Sequence, residues 1–424
     1  MVLENNTSVS ESCDISLKLA DSPITIEWIL DGLTASDQKF QLLNRKSKVS
    51  NVTSVDISGG KGFISKVYKI AIMFENDTEP YEVVLKVPGV ESFNDAFKPD
   101  QKKTNSTTQL QQVAKLHKRE CSFYNEIAPK LSIPLVKVFK TQEWTLGKDP
   151  GAILMESVVG RGDSCPLSTG ANLQQIFEVV KHLCVFQKSI ICLAPNEWQG
   201  KYDFDMFSSF SKNDLFGQFF QKLKILKPGV FDKGCQELDK FRKNHKFDRY
   251  LMCDIYKELG LPAVLSHGDF WNNNVLWKLN LDGSLSNEIV SIIDWQIVHQ
   301  GCMTNDLARF MAVCVDGEIR REFENDVLQY YYDTLTAMLL EEDKSVDFTL
   351  DKVTIAYRAN FIHQAIIAMI VGPFLFNYDS LSGDQRRIKK AQMEKVLLRA
   401  QLAMEDALEY YKDLPNEVLP HQYE

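Results

Sequence analysis

Residues 266–277 read "SHGDFWNNNVLW" and place a row of polar side chains between two apolar runs. "LPAVL" precedes the stretch and "VLW" ends it, so a histidine, a carboxylate and three consecutive amides interrupt what could have been a continuous buried strand. A second apolar run ends at Asp294, which lies 25 positions after Asp269. Two apolar runs that both meet carboxylates indicate a functional site.

The segment 273–295 reads as two strands joined by an Asp-Gly turn at 282–283, which is typical of a β-hairpin. Because a hairpin brings its ends together, Asp269, Asn274 and Asp294 are predicted to converge. One Asn and one Asp oxygen suit Mg²⁺, which also keeps water and phosphate oxygens as ligands. The other carboxylate is then left to orient a hydroxyl, as phosphoryl transfer requires. The alternative is that Asp269 caps a turn and the amides satisfy loop backbone.

The composition excludes several classes of protein. The chain has 424 residues, 44% of them hydrophobic, which is enough for a large core and more than one domain. Its formal net charge of −9, without an obvious basic stripe, argues against nucleic-acid binding. The nine cysteines are scattered and form no C-x-x-C pair, which favours reduced thiols over disulfides or zinc ligands.

The same reasoning predicts a cytoplasmic protein. The first residues lack the basic start and apolar core of a signal peptide. The longest apolar segment, at 365–376, is too short to span a bilayer and contains Gly-Pro, so no membrane span is expected. The sequence gives no indication of the oligomeric state.

Hydrophobic periodicity divides the chain into a strand-rich part and a helical part. Strand patterns occupy 54–74 and 81–89, a helical pattern covers 113–128, and two further strands follow. Beyond residue 160 helical spacing dominates, except in the block 263–297 that contains the hairpin. The pattern predicts an α+β protein whose polar hairpin is embedded in its helical part.

Three motifs carry a family resemblance. His-Gly-Asp at 267–269, followed by Asn274 and then Asp294, is similar to the kinase catalytic loop H-x-D-x-x-x-x-N and its metal-binding Asp. "HGDFWNNNVL", "IIDWQ" and "NDLARF" together resemble the ecdysteroid kinase-like (CHK kinase-like) family, in the aminoglycoside and choline kinase branch. The resemblance spans roughly residues 55–315.

This resemblance implies a two-lobed protein-kinase-like fold. An N-terminal extension would occupy 1–45, a small β-rich N-lobe 46–157, and a larger, mostly helical C-lobe 158–424. The implied cofactors are ATP and Mg²⁺, bound in the cleft between the lobes, and the implied partner is a small molecule with a hydroxyl acceptor. The resemblance suggests sterols, choline-like alcohols or xenobiotic conjugates as acceptors, and the sequence does not favour one of them over the others.

The resemblance also assigns phosphate-binding residues in the N-lobe. Lys86 in "VVLKVP" occupies the strand position of the V-A-I-K lysine that contacts the α- and β-phosphates. Glu120 on the following helix would be its ion-pair partner, because in this family the Glu precedes a Phe-Tyr pair. Glu126 is the rival for that role, and a solvated strand lysine is the alternative for Lys86.

Two further stretches would contact the nucleotide. Gly60 and Gly62, with Gly59, lie between two strands where backbone amides could approach phosphates; a plain hairpin turn is the alternative. "AILMES" would link the lobes, with the backbone near Glu156 and Ser157 facing adenine.

Of the residues around the catalytic motifs, one matches the family pattern and two depart from it. Asp306 in "NDLARF" would brace the catalytic loop from below, or would simply cap the helix that follows. Trp295 stands where kinases of the Asp-Phe-Gly type carry Phe, which preserves an apolar plug. Gln296 stands where choline kinases carry Glu, so it keeps an oxygen donor but loses a charge.

The function predicted from these residues is an ATP-dependent small-molecule kinase. Asp269 would orient or deprotonate the acceptor hydroxyl, and Asn274 and Asp294 would hold Mg²⁺. The alternative is a catalytically silent kinase-like protein that binds a ligand or a protein partner. A protein kinase is a third reading, but the chain has neither the activation-loop stretch nor the Ala-Pro-Glu triplet of that class.

Overall fold

The computed structural model describes residues 14–58, 64–75, 78–89, 107–203, 216–376 and 381–415. The chain forms two compact units. The first comprises Met1–Asn125 and Val136–Val158, and the second comprises Glu126–Leu135 and Val159–Glu424. The short segment 126–135 therefore belongs to the second unit although it lies within the sequence range of the first.

The first unit contains a five-stranded antiparallel sheet in the order β1-β2-β3-β5-β4. Its strands are β1 Val49–Asp56, β2 Ser65–Phe74, β3 Tyr81–Pro88, β4 Val138–Gln142 and β5 Ala152–Glu156. β3 lies in the middle of the sheet, where Lys86 is opposite Val67 on one side and Ile153 on the other. This central position explains why a lysine is buried there between apolar neighbours.

Three helices accompany this sheet: α1 Ile26–Ser36, α2 Gln38–Lys46 and α3 Thr107–Ser122. Thr25 caps α1 and Asp37 caps α2, each by accepting a backbone N–H at 3.2 Å. Leu33 and Phe40 from these helices are fully buried in one core with residues of β2 and β3. Residues 26–46, most of which lie in the predicted N-terminal extension, are thus folded onto the sheet, and this packing was not predicted.

The second unit is mostly helical. After α3 come a π-helical turn, Phe123–Ile127, whose last two residues belong to this unit, and a 3-10 turn, Ala128–Lys130. The helices are α4 Leu173–Cys192, α5 Pro195–Trp198, α6 Gly217–Leu226, α7 Asp232–Lys243, α8 His245–Arg249, α9 Ile255–Leu259, α10 Asn305–Cys314, α11 Gly317–Glu341, α12 Leu350–Leu375 and α13 Gly383–Asp413. Further short turns are Tyr250–Asp254, Asn272–Asn274 and Trp295–Ile297. The strands are β6 Gly162–Ser164, β7 Val264–Ser266, β8 Val275–Leu279, β9 Leu285–Ile292 and β10 His299–Gly301.

The predicted hairpin is confirmed as β8 and β9, which pair antiparallel with Val275 opposite Ile292. β6 pairs with β8 to complete a three-stranded sheet. A second pair, β7 and β10, sets Ser266 opposite His299. The segments that enter and leave the hairpin are therefore paired with each other, and this second pairing holds the polar loops at both ends of the hairpin in place.

The long helix α12 forms part of the core of the second unit. Among the described residues it is the one helix that is long and apolar enough to cross a membrane, and 78% of its most apolar window is buried inside the protein. It carries buried polar side chains as well, namely Asn360, His363 and Gln364. A helix that buries polar groups against neighbouring protein is typical of a protein core.

Candidate active site

The loop that follows β7 depends on a glycine at its second position. Gly268 has φ +84°, and a Cβ atom there would lie 2.7 Å from the carbonyl oxygen of Ile297 and 2.9 Å from Nδ1 of His299. Both the backbone conformation and the lack of space therefore exclude other residues. The glycine of the His-Gly-Asp sequence is consequently required by the packing of this loop against the segment after β9.

His267 connects the two polar ends of the hairpin. Its ring is fully buried, and its Nδ1 accepts the backbone N–H of Asp269 at 3.2 Å. The ring proton must then lie on Nε2, which donates to the carbonyl oxygen of Ile293 at 2.9 Å. The ring also packs against Trp295, with 4.5 Å between centroids. His267 therefore fixes the loop of Asp269 relative to the residue that precedes Asp294.

Asn274 has an orientation that its partners determine. Its Nδ2 donates to the carbonyl oxygen of Asp269 at 2.8 Å and to Oδ2 of Asp269 at 3.1 Å. Because both partners only accept, the amide nitrogen must face them and the amide oxygen points elsewhere. The Ile293 N–H donates to the carbonyl oxygen of Asn274 at 2.9 Å, which places Asp294 one residue beyond this hydrogen bond.

Asp294 has a left-handed backbone conformation, with φ 67° and ψ 58°. This conformation costs a non-glycine residue about 1–3 kcal/mol and occurs preferentially at functional sites. Nε2 of Gln296 donates to Oδ2 of Asp294 at 3.3 Å, so Gln296 turns its nitrogen, and not its oxygen, toward the carboxylate. The neighbouring Trp295 is 1% exposed and fills the apolar position expected of it.

Asp269 accepts hydrogen bonds at both of its carboxylate oxygens. Oδ1 accepts from Nη2 of Arg309 at 2.6 Å, and Oδ2 accepts from Nε1 of Trp271 at 3.2 Å and from Asn274. The side chain is 23% exposed. Arg309 lies within the motif "NDLARF", but no role was predicted for it; its position three residues after Asp306 on one helix face was the available signal.

Asp306 binds the backbone of the His-Gly-Asp loop. Its carboxylate accepts the backbone N–H of His267 at 2.7 Å and that of Gly268 at 2.9 Å. The helix α10 begins at Asn305 after the N-cap Thr304, so the alternative that Asp306 itself caps the helix is wrong. Asp306 is 1% exposed, and this burial raises the pKa of its carboxyl group. The bracing role is the one that the hydrogen bonds indicate.

We expect the Asp306→Asn substitution to lower the free energy of unfolding by about 1–3 kcal/mol, since the amide offers one acceptor to two N–H groups and directs an NH₂ group at the other. Urea denaturation followed by circular dichroism measures this. The matched control is Asp282→Asn in the β8–β9 turn, where Asn-Gly suits the turn equally well. An equal cost for both substitutions would contradict the bracing role.

The sheet of the first unit carries the predicted ion pair. Nζ of Lys86 lies 2.7 Å and 2.9 Å from the two carboxylate oxygens of Glu120. The two side chains are 10% and 1% exposed, respectively, so the alternative of a solvated strand lysine is wrong. The rival carboxylate, Glu126, instead pairs with Lys201 at 3.2 Å in the second unit.

The histidine next to the Lys86–Glu120 pair does not disturb this ion pair. His117, one helical turn before Glu120, is buried and donates through Nε2 to the carbonyl oxygen of Gln142 at 2.8 Å. Burial, together with the nearby charge of Lys86, lowers the pKa of His117 to about 4. A neutral imidazole therefore lies beside the pair and does not compete with Lys86 for the carboxylate.

Of the remaining residues predicted to contact the nucleotide, the structure describes Glu156 but not the glycines. Gly59, Gly60 and Gly62 lie outside the described residues. Glu156 ends β5 and accepts the backbone N–H of Lys137 through Oε1 at 2.8 Å, while its own N–H donates to the carbonyl oxygen of Lys137 at 2.8 Å. The backbone N–H of Glu156 is thus already used within the sheet edge.

A family profile described as "DUF1679: Uncharacterized oxidoreductase dhs-27" matches residues 37–414. The chain belongs to this family. A relative from Caenorhabditis elegans, "Uncharacterized oxidoreductase dhs-27", is 31% identical over 351 residues, which cover 81% of this chain and 41% of that protein. A second protein of the same organism, "Uncharacterized kinase-like protein D1044.1", is 22% identical over 332 residues, covering 76% of this chain and 83% of that protein. The chain thus spans about two fifths of the length of the first relative.

Solved structures of small-molecule kinases have a similar architecture. A choline kinase from Cryptosporidium parvum Iowa II has a TM-score of 0.47 at 12% identity, covering 93% of this chain and 98% of its own. A putative aminoglycoside phosphotransferase from Ralstonia eutropha has a TM-score of 0.44 at 10% identity, covering 89% and 98%. The predicted α+β architecture is confirmed: a β-rich N-terminal part, with an antiparallel sheet that contains Lys86, precedes a mostly helical part that contains the β8–β9 hairpin.

The sheets of the described residues differ from the sheet of a dinucleotide-binding oxidoreductase. Every strand pair within the described residues is antiparallel. Dinucleotide-binding folds use a parallel sheet with the cofactor at its carboxyl edge. The dhs-27 relative extends well beyond the part that aligns with this chain, so its name describes a longer protein.

Proposed function

We propose that this protein is a kinase that transfers the γ-phosphoryl group of ATP to a hydroxyl group of a small molecule. The observation that carries the proposal is the orientation of Asn274, whose side-chain nitrogen is held by Asp269, so that its side-chain oxygen points away from Asp269. Its backbone carbonyl accepts the N–H of Ile293, the residue before the strained Asp294. One amide oxygen and one carboxylate beside a hydrogen-bonded carboxylate is the arrangement that phosphoryl transfer uses.

Asn274 and Asp294 are the residues that would hold Mg²⁺. Among the described residues no group of three or more His, Cys, Asp or Glu side chains could form a metal site by itself. Such a group is not required, since Mg²⁺ is usually bound by one or two protein ligands together with water and substrate phosphates. When bound, the ion would neutralise the phosphate charge. The donor set therefore fits a magnesium–nucleotide complex better than a metal bound by protein alone.

Asp269 would place the acceptor hydroxyl and accept its proton. Its side chain is partly exposed, whereas the other carboxylate of the loop region, Asp306, is buried and fully engaged with backbone N–H groups. Only a carboxylate that a substrate can reach is able to act as a base. Asp269 and Asp306 thus divide the catalytic and structural roles between them.

In the N-lobe, which we place at 46–157, Lys86 would bind the nucleotide phosphates. Its ammonium group is fixed by Glu120 and carries one positive charge on a rigid central strand. A lysine held in this way binds phosphate as a point charge without a large loss of side-chain entropy. The glycines at 59–62 and the backbone near Glu156 are proposed as the further nucleotide contacts.

We expect MgATP to raise the melting temperature of the protein, because a ligand that binds only the folded state stabilises it by about 2.7 kcal/mol at a hundredfold excess over Kd. The Asp294→Ala variant should lose this response, since one of two metal ligands is missing. Differential scanning fluorimetry with ATP, with and without Mg²⁺, measures both effects. Asp282→Ala is the control on the same hairpin and should keep the full response.

The activity itself is tested by incubating the protein with MgATP and a deproteinised metabolite extract. Products heavier by one phosphoryl unit would support a small-molecule kinase. In a parallel incubation of a cell lysate with labelled ATP, transfer of the label to proteins would instead indicate a protein kinase. A full thermal response to MgATP with no product in either mixture would favour the catalytically silent binder. The absence of any response to MgATP would contradict the proposed function.

A further inference from the structure

The guanidinium group of Arg309 bridges the candidate base and helix α12. Its Nη2 donates to Oδ1 of Asp269 at 2.6 Å, and its Nη1 donates to Oε1 of Gln364 at 3.0 Å. The Arg309 side chain is 12% exposed, so most of this charge is removed from solvent. A partly buried guanidinium that is shared between a carboxylate and an amide has little freedom to rotate.

Gln364 is itself fixed from behind. It is 1% exposed, and its Nε2 donates to Oδ1 of Asn305 at 2.9 Å. Asn305 is likewise 1% exposed and opens α10, the helix that also carries Arg309. The chain of hydrogen bonds from Asp269 to Asn305 therefore returns to the same helix, and a displacement of Arg309 would disturb buried groups on both helices.

The result is a carboxylate whose plane is fixed. Arg309 holds one oxygen of Asp269, while Trp271 and Asn274 hold the other. Without Arg309, the remaining two donors would both bind Oδ2. Rotation of the carboxylate about the last side-chain bond of Asp269 would then be restrained only through Oδ2. Asp306, one turn earlier on α10, holds the backbone of the same loop. One helix thus positions both the loop and its functional side chain.

We propose that Arg309 is the positioning residue of this site, acting through Asp269 on the orientation of the acceptor hydroxyl. This inference rests on the proposed kinase function. An arginine is needed because one planar group must reach two acceptors at once; a lysine offers a single nitrogen for the same task. Gln364, at the far side of the guanidinium, supports the same orientation.

The kinetic test uses Arg309→Met, with Arg309→Lys as the conservative variant. We expect kcat, measured as ADP release from MgATP with the deproteinised metabolite extract, to fall about 10–100-fold in Arg309→Met, since a small misplacement of a catalytic group has effects of this size. The KM for MgATP should be unchanged, and Arg309→Lys should recover part of kcat. Arg321→Met, which removes an arginine that pairs with Glu405 at 2.9 Å, is the control.

A double-mutant cycle separates positioning from a general structural role. If Arg309 acts through Asp269, Arg309→Met should have no further effect on kcat in the Asp269→Asn background. A merely structural arginine would cost the same factor in both backgrounds. An equal loss in both backgrounds, or an increase in kcat in the single variant, would overturn the proposal.

A spectroscopic measurement gives an answer that does not depend on activity. Nε1 of Trp271 donates to Asp269, so its indole N–H resonance reports on the position of the carboxylate. The chain has six tryptophans, which keeps the ¹⁵N-indole spectrum simple enough to assign Trp271 with Trp271→Phe. Arg309→Met should shift this resonance, Arg309→Lys should shift it less, and Arg321→Met should leave it in place.

The two measurements distinguish the failure of this inference from failure of the proposed function. Absence of any MgATP turnover in the wild-type protein would count against the kinase, whereas the indole resonance would still decide whether Arg309 holds Asp269. An unmoved Trp271 resonance in Arg309→Met would overturn the positioning role in either case.

Discussion

Asp269→Asn should lower the rate of phosphoryl transfer by about 10²–10⁴-fold, which is the usual contribution of a positioned general base. Asparagine has the same size and can still accept from Arg309 through its oxygen, while its NH₂ group replaces the oxygen that accepts from Trp271 and Asn274. That nitrogen cannot take a proton from the acceptor hydroxyl. Turnover is measured with the acceptor that the metabolite extract reveals. Binding of MgATP should be nearly unchanged, because Asp269 is not among the proposed metal ligands and its backbone carbonyl oxygen, which the substitution does not touch, still accepts from Nδ2 of Asn274 at 2.8 Å.

The separation of turnover from binding is what makes this substitution informative. Asp294→Ala should remove the thermal response to MgATP, whereas Asp269→Asn should keep it and lose turnover. A circular-dichroism melt shows whether each variant is folded. Wild-type turnover in Asp269→Asn, or loss of the MgATP response in that variant alone, would contradict the roles assigned to the two carboxylates.

The hairpin and its polar ends were predictable because short-range physics determines them. An Asp-Gly turn between two apolar runs fixes a β-hairpin, and a hairpin necessarily brings its ends together. The structure accordingly sets Asn274 against Asp269 and joins it through the Ile293 N–H to the residue before Asp294. The chemical roles of these residues stay predictions until activity is measured.

The contacts made by Arg309 were not predictable in the same way. Its partners lie 40 and 55 positions away in sequence, on a loop and on a buried helix. Neither separation leaves a periodic pattern in the sequence, because such contacts depend on how α10 and α12 pack. The folded state of residues 26–46 escaped prediction for a related reason: its apolar face becomes visible only against the sheet that covers it.

The left-handed conformation of Asp294 was also beyond sequence reasoning. Aspartate tolerates this conformation better than most residues, but its presence alone does not require it. The strain is maintained by the paired strands on both sides of the residue, β9 before it and β10 after it. Local propensity and tertiary structure disagree at this position, and such disagreement is typical of functional sites.

Lys86→Met should lower the free energy of unfolding by about 3–5 kcal/mol, the cost of removing one partner from a buried ion pair. Glu120 is 1% exposed, and the substitution removes the ammonium group that neutralises its carboxylate at 2.7 Å. Urea denaturation measures the loss. Lys69→Met is the matched control, since Lys69 lies on neighbouring β2 and its pair with Glu82 is about 30% exposed on both sides, where such pairs contribute about 0–1 kcal/mol.

The double variant Lys86→Met/Glu120→Leu then separates stability from nucleotide binding. Replacing both members of a buried pair with apolar side chains of similar size is often neutral or stabilising, so most of the lost stability should return. The thermal response to MgATP should not return, because the charge that would hold the phosphates is still missing. A stable double variant with a full MgATP response would exclude Lys86 from nucleotide binding. If Lys86→Met were no less stable than Lys69→Met, the buried carboxylate of Glu120 would not depend on Lys86.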